Sequence, residues 1–239
     1  MFPGRLSCLS ARSLTFQRRC TTRCIKCSRR PAVVLFGAAL LLVPWNLGGP
    51  GSNAKANGPG RNVSLLTAQW WQWVLGIPAP QNPLLDETGE FAGEDQPYKG
   101  NKVFFLVGVF NESGQAERSI TVPQGTSFFF PLLNVVFIEE GTVPEMRAAA
   151  ADLIDNAVDF VYVSVDGVDM TAFSKRVAST PFAVRLPDDN VVDVPSGTYA
   201  PAVSDGYWFY LPPLSKGTHT LEFGGSAWAG GSCSTSPTT

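Results

Sequence analysis

The sequence predicts a mainly β protein: an antiparallel β-sandwich of immunoglobulin-like or jelly-roll type, with one N-terminal Trp-rich helix and one inserted amphipathic helix. Short runs of β-forming residues recur along residues 102–223, and Gly, Pro and Asp turns separate them. Only two segments have helical periodicity. Since a parallel sheet needs a long crossover between neighbouring strands, these observations favour antiparallel pairing.

The first helix is predicted over residues 64–75, with Ser64 as the N-cap. Its apolar residues recur at helical spacing. They are Leu66, Trp70, Trp73 and Ile77. Three strand-forming stretches follow after a turn-rich connection. Residues 102–110 form an almost continuous apolar run, 118–122 alternate, and 127–138 supply one or two buried strands broken near Pro131.

The second helix begins with a capping box made by Thr142 and Glu145. One face is apolar, formed by Met146, Ala149, Ala150, Leu153, Ile154 and Ala157. The acids outside that stripe are interpreted as a solvated face. They are Asp152, Asp155 and Asp159.

A β-hairpin is predicted next. Residues 160–165 alternate, and Asp166-Gly167 suits a type I′ turn. Further short strands are predicted at residues 182–186, 191–194, 207–211 and 218–223.

The 239 residues divide into a basic leader with an export signal (1–56), a β-sandwich domain (57–225) and a Gly/Ser/Thr-rich tail (226–239). Arg and Lys residues precede an apolar run at 32–43, which is shorter than the roughly 20 residues of a membrane-spanning helix. We therefore expect cleavage near Ala56 and an extracytoplasmic protein, in the periplasm, at the cell surface or secreted. There are two alternatives. The protein could reach an organelle lumen through a bipartite leader, or residues 32–47 could anchor it in a membrane.

Charge is distributed unevenly. Residues 1–56 hold nine of the 18 Lys and Arg and none of the 20 Asp and Glu, which leaves residues 57–239 with nine basic and 20 acidic side chains. Because an acidic domain repels phosphate backbones, we expect no nucleic-acid partner.

Cysteines are concentrated in the leader, at Cys8, Cys20, Cys24 and Cys27. Their spacing is compatible with a metal site, but no His accompanies them there, so this interpretation is not favoured. Loss of the leader leaves Cys233 alone, and one cysteine forms no internal disulfide. We therefore expect the core alone to stabilise the domain.

Several phrases occur together in a characteristic order. They are Trp70-Trp71-Gln72-Trp73, Asn82-Pro83, Asp86-Glu87-Thr88-Gly89, Val103-Phe104-Phe105-Leu106, Val122-Pro123-Gln124-Gly125, Phe129-Phe130-Pro131-Leu132-Leu133-Asn134, Val165-Asp166-Gly167, Ser204-Asp205-Gly206-Tyr207-Trp208 and Leu214-Ser215-Lys216-Gly217-Thr218-His219. The set resembles a family of exported, uncharacterised bacterial β-sandwich proteins. The resemblance brings no catalytic residues. It implies a Cys pair near Phe91 and Ser119, and a closing strand after the Gly-Gly segment, and this sequence departs from both features.

The single histidine limits the available chemistry. His219 shares strand parity with Leu221 and Phe223, so its side chain is expected at the core or its rim. A Ser-His-Asp or Cys-His system would depend wholly on this residue, and no Gly-x-Ser-x-Gly motif is present. Histidine-based zinc sites are disfavoured for the same reason.

Carboxylates leave two hypotheses open. A glycosidase-like hydrolase needs two acids close together on one face. Four residues could converge to supply them: Glu139, Glu140, Asp205 and Glu222. Two oxygen-rich loops could bind Ca²⁺, the one cofactor considered, with ordinary acidic turns as the alternative. One loop contains Asp188, Asp189, Asn190 and Asp193, and the other contains Asp86, Thr88 and Glu90.

Aromatic clusters give the main functional hypothesis. Alternation places Tyr207, Phe209 and Leu211 on one side of a strand, and Trp208 and Tyr210 on the other. Either the helix with Trp70 and Trp73 covers Trp208 and Tyr210, which we expect, or these aromatic side chains form a platform for a sugar ring or another apolar ligand face. The sequence thus favours an exported, non-catalytic binding or envelope-associated structural module. A glycan or an envelope component is the expected partner, and a membrane is contacted only through an uncleaved N-terminal apolar segment.

Overall fold

The computed structural model describes residues 39–41, 62–97, 102–110 and 114–227. The predicted cleavage near Ala56, the leader cysteines and Cys233 lie outside these residues. Most of the 226–239 tail also lies outside them.

The described chain contains two α-helices and ten β-strands. Helix α1 is Val63–Gly76 and helix α2 is Val143–Ala157. Two short 3-10 turns occur at Ala79–Gln81 and Thr171–Phe173. The strands are β1 (Ala39–Leu41), β2 (Val103–Phe105), β3 (Glu117–Arg118), β4 (Ser127–Ile138), β5 (Val158–Val165), β6 (Val168–Asp169), β7 (Lys175–Arg176), β8 (Phe182–Leu186), β9 (Gly197–Leu211) and β10 (Leu221–Ala227).

The strands form two five-stranded sheets. The first has the order β3-β1-β10-β5-β6, and the second has the order β2-β4-β9-β7, with β8 also paired to β9. Most neighbours are antiparallel, but β1 pairs with β3, and β2 with β4, in parallel. The predicted mainly β class with two helices is therefore confirmed, and antiparallel pairing predominates, but both sheets are mixed.

The second sheet lies between two apolar layers. Helix α1 covers the face that carries Phe129, Val136 and Trp208. The first sheet packs against part of the opposite face, where Phe130 and Phe209 meet Phe223 of β10. Helix α2 covers the rest of that opposite face through buried side chains, which are Met146, Ala150 and Ile154. Both sheets and both helices thus contribute to the core.

Several predicted elements are confirmed. The predicted bounds 127–138 and 182–186 match β4 and β8, and the first helix extends one residue beyond its predicted range at each end. Thr142 and Glu145 form the capping box. Asp166 and Gly167 both have positive φ, as a type I′ turn requires.

Other predictions were wrong in detail. The N-cap of α1 is Asn62, whose Oδ1 accepts a hydrogen bond from the N–H of Leu65 at 3.2 Å, and not Ser64. Residues 191–194 form no strand. Residues 191 and 192 lie in a turn, and the side chain of Asn190 hydrogen-bonds to the backbone of Val194 within this loop. The strand expected at 218–223 is β10, which reaches Ala227. The expected 118–122 strand is only Glu117–Arg118.

Strand β1 comes from within the apolar run of the predicted leader. It lies between β10 and β3, with Leu41 opposite both Leu221 and Arg118. It therefore connects β3 to the remainder of the first sheet. Among the described residues, no helix has the length and apolar character needed to cross a membrane.

Candidate functional site

The tryptophans that were considered as a ligand platform lie in the core. Trp70 and Trp208 are at most 1% exposed, and their ring centroids are 5.5 Å apart with nearly perpendicular planes. Trp73 is also buried. Phe129 stacks on Trp208 with ring centroids 5.1 Å apart. The expectation that α1 covers Trp208 is confirmed, and these indoles stabilise the contact between α1 and the second sheet.

The polar atoms of these aromatic residues fix their positions. Trp70 Nε1 donates to the carbonyl oxygen of Leu106 at 2.8 Å, and Trp73 Nε1 donates to that of Glu94 at 2.9 Å. Tyr210 is half-buried, and its hydroxyl donates to Ser127 Oγ at 2.9 Å. Each indole therefore joins α1 to a separate loop or strand.

The loop proposed for Ca²⁺ is organised by Asn190. Its Nδ2 donates to the carbonyl oxygens of Pro187 and Val194 at 2.9 and 2.6 Å. The side chains of Asp188, Asp189 and Asp193 are exposed. Within the ranges that the structure describes, no group of three or more Asp, Glu, His or Cys side chains is arranged to hold a metal ion.

The second acidic loop depends on Asp86, whose two carboxylate oxygens bind backbone N–H groups. Oδ1 accepts from Thr88 and Gly89 at 2.8 and 3.0 Å, and Oδ2 accepts from Phe91 at 2.9 Å. Burial alone favours the neutral acid, but these donors outweigh it and lower the pKa of Asp86. The carboxylate therefore closes a structural turn, and Glu90 is exposed beside it.

Arg118 packs under this turn and is 3% exposed. Its guanidinium donates to four carbonyl oxygens at 2.7–3.0 Å, those of Pro83, Asp86, Val107 and Gly108. Burial disfavours the charged form, so the pKa of Arg118 falls to about 10. At neutral pH the side chain is still a cation and connects two segments of the chain.

Three of the four acids of the hydrolase hypothesis have separate partners. Asp205 pairs with Arg176 at 2.9 Å beside α2, whereas Glu222 accepts from Ser164 at 3.0 Å on the first sheet. Glu139 accepts from the N–H of Ala200 at 2.7 Å. None of these acids, nor Glu140, lines the pocket described next.

An apolar pocket of about 300 Å³ lies at one end of the two sheets. Its walls come from the segment after β3, the start of β4, the end of β9 and the loop that leads into β10. The apolar lining consists of Leu106, Ile120, Val122, Phe128, Leu211, Leu214 and Leu221. Its polar lining includes Gln124, Thr126, Ser215, Lys216 and His219. This volume is at the lower end of the range for small-molecule sites.

His219 fixes one wall of the pocket. Nδ1 lies 2.8 Å from Asp166 Oδ2, and Nε2 lies 3.0 Å from the carbonyl oxygen of Ser215. Burial of the ring opposes protonation, but the hydrogen bonds to Asp166 and Ser215 raise the pKa of His219. Because both nitrogens face acceptors, this geometry suits the imidazolium form.

Ser215, His219 and Asp166 have the composition of a catalytic triad, but their geometry differs from one. Ser215 Oγ is 3.3 Å from Nε2, farther than the carbonyl oxygen of the same residue. A carbonyl oxygen only accepts hydrogen bonds, so Nε2 carries a proton and has no lone pair for the serine hydroxyl. The three residues therefore hold the loop in place.

Sequence reasoning placed His219 at the core or its rim, and the structure places it at the rim of the pocket. It did not identify the pocket itself, because the walls are far apart in sequence. One feature of the sequence could have indicated this wall of the pocket. Ile120 and Val122 are apolar residues at alternate positions, and their segment belongs to no strand in the described structure.

The sequence gives no significant match to protein-family models, to curated proteins or to solved structures.

Proposed function

We propose that the protein is an exported, non-catalytic binding module built on a β-sandwich, of the kind that its motifs resemble, and that the apolar pocket is its binding site. The ligand presents an apolar surface to the half-buried apolar residues of the lining, among them Val122, Phe128 and Leu214. The polar side chains at the rim orient it.

The pocket is the observation that carries this proposal. Apolar side chains exposed in a concave site are unfavourable unless a ligand covers them, and a few polar groups at the rim are typical of binding sites. Lys216 is exposed at this rim and makes no ion pair with any residue that the structure describes, so its ammonium group can contact a ligand.

The proposal includes two further points: the protein is exported, and it catalyses no reaction. The acid-free basic leader and its short apolar run support export, although cleavage near Ala56 would also remove β1 (Ala39–Leu41) from the first sheet. The carboxylate-dependent hydrolase is the weaker candidate, because paired acids must lie about 5–10 Å apart across a substrate. Asp205 and Glu222 each bind a different partner on a different sheet.

Binding of 1-anilinonaphthalene-8-sulfonate to the full chain tests the pocket. The dye should bind saturably with increased fluorescence, and Leu214→Glu should weaken its binding at least ten-fold, because the new carboxylate places charge against the apolar lining. A glycan array and a Ca²⁺ titration, run on the same protein, examine the other ligand classes.

Phe173→Glu is the matched control, since Phe173 is 50% exposed and lies outside the pocket. It adds the same charge and should leave dye affinity unchanged. Equal weakening by both variants, or no saturable binding by the wild-type chain, would show that the pocket is not the site. Thermal unfolding of each variant verifies that it is folded.

A further inference from the structure

The lining of the apolar pocket differs in charge from the rest of the domain. Residues 57–239 carry nine basic and 20 acidic side chains. The described lining, in contrast, contains Lys216 and His219 but no Asp or Glu. An anionic group in the pocket therefore meets no carboxylate of the lining, although most of the charged side chains of this domain are acids.

Lys216 supplies the unbalanced charge of this lining. His219 pairs with Asp166, with Nδ1 2.8 Å from Oδ2, so the charges of the imidazolium and the carboxylate compensate each other. Lys216 is exposed and makes no ion pair with any residue that the structure describes. Because apolar walls of low dielectric constant strengthen the field of a charge at their edge, its ammonium group attracts an anion in the pocket.

A second polar group of the lining also has no protein partner. Thr126 is 6% exposed, and its hydroxyl makes no hydrogen bond to any described residue. Thr126 and Phe128 both line the pocket and are two residues apart, which is the side-chain alternation of an extended segment. Because buried hydroxyl groups are normally hydrogen-bonded, this hydroxyl indicates that a polar group of the ligand lies beside it.

These two polar groups come from the same end of the second sheet. Strands β4 and β9 are antiparallel, with Phe128 opposite Leu211, so the start of β4 lies beside the end of β9. Thr126 immediately precedes β4, and Lys216 lies in the loop that follows β9. One ligand can therefore contact Phe128 and both polar groups.

We propose that the ligand of this pocket is a small amphipathic anion. Its apolar body covers Val122, Phe128 and Leu214. Its anionic group accepts charge-assisted hydrogen bonds from the ammonium of Lys216 and the hydroxyl of Thr126. This inference rests on the proposed function of the pocket as a binding site. The volume of about 300 Å³ suits a free small molecule, whereas a membrane lipid keeps its apolar chains within the bilayer.

Two dyes that differ in one charged group test the proposal on the full chain. 1-Anilinonaphthalene-8-sulfonate carries a sulfonate, and N-phenyl-1-naphthylamine has the same aromatic rings without it. The ratio of their dissociation constants in fluorescence titrations measures what the sulfonate adds to binding. Lys216→Gln should reduce the preference for the sulfonate about ten-fold, as expected for the loss of a hydrogen bond to a charged group. An unchanged ratio would overturn the proposal.

Lys175→Gln is the matched control, because Lys175 is exposed on β7 and lies outside the pocket. It changes the net charge by the same amount and should leave the ratio of affinities unchanged. Lys216→Arg keeps the charge and should retain the preference for the sulfonate. If Lys175→Gln reduced the preference as much as Lys216→Gln, net charge alone would explain the effect and the proposal would be rejected.

Thr126→Val gives an independent measurement, because valine has nearly the shape of threonine but lacks its hydroxyl. The variant should weaken binding of the sulfonate dye more than binding of the neutral dye. Its thermal stability should not fall, since the hydroxyl has no partner among the described residues. Lower stability with an unchanged ratio of affinities would give the hydroxyl a structural role and contradict its contact with the ligand.

The neutral dye separates the two proposals. Saturable binding of the neutral dye that Leu214→Glu weakens, without any effect of Lys216→Gln on the ratio, would reject the anionic ligand and retain the pocket as a site. Failure of both dyes to bind would reject the proposed function.

Discussion

The carboxylate of Asp166 accepts a hydrogen bond from His219, with Nδ1 and Oδ2 2.8 Å apart, and so connects the β5–β6 turn to the loop that borders the pocket. Asp166 also accepts from the N–H of Thr220 at 2.9 Å and donates its own N–H to the carbonyl oxygen of Thr220 at 2.8 Å. One turn residue therefore fixes the entry into β10.

Stability should depend on pH through His219. Its folded pKa is raised above 6.5, so the stabilisation from the protonated ring is complete below pH 6.5 and is lost as pH rises through the folded pKa. Thermal unfolding of the full chain between pH 5.5 and 8.5 should show this decrease. The sequence contains only one histidine, which simplifies the assignment.

Asp166→Asn should remove most of this pH dependence, because the amide offers the imidazolium no charge. Asp159→Asn is the control, since Asp159 is an exposed acid and the change in net charge is the same. A pH profile unchanged by Asp166→Asn would refute the assignment.

Arg118→Met should lower the free energy of unfolding by about 3–5 kcal/mol, because it leaves four carbonyl oxygens without their donor. Arg185→Met on β8 is the matched control, because Arg185 is exposed. Urea denaturation measures both. A loss below about 1 kcal/mol for Arg118→Met would contradict this role.

Trp208→Ala should cost about 3–5 kcal/mol through lost contacts and the cavity it creates. Its effect should be non-additive with Trp70→Ala, since the two rings are in contact. Trp208→Phe should be milder than Trp70→Phe, because Trp208 Nε1 has no hydrogen-bond partner among the described residues, whereas Trp70 Nε1 donates to the carbonyl oxygen of Leu106. Urea denaturation of the single and double variants tests this, and additive losses would contradict the contact.

Helix α2 offers a comparison between two adjacent residues. Ile154 is 2% exposed and Leu153 is half-buried, so Ile154→Asp should destabilise by more than about 4 kcal/mol and Leu153→Asp by less. Asp152→Ser on the exposed face should change little. Thermal unfolding measures the three, and similar losses for Ile154→Asp and Asp152→Ser would show that the helix face is wrongly assigned.

Local patterns predicted the helices and several strands, because their signals lie within one segment. The capping box of Thr142 and Glu145 and the alternation around Trp208 are examples. Long-range pairing was not predictable in this way. The parallel β2–β4 pair and the position of β1 depend on contacts between distant segments, and so does the pocket. Asp86 was ambiguous, since the same acid can bind a metal or backbone N–H groups.

The guanidinium of Arg118 joins residues 83–86 to residues 107–108, and the N–H of Ser119 donates to the carbonyl oxygen of Thr88 at 3.1 Å in the same region. All five cysteines of this chain lie outside the described residues. The described domain therefore holds this region together without sulfur chemistry, and its folding should proceed equally well with dithiothreitol or in an oxidising buffer.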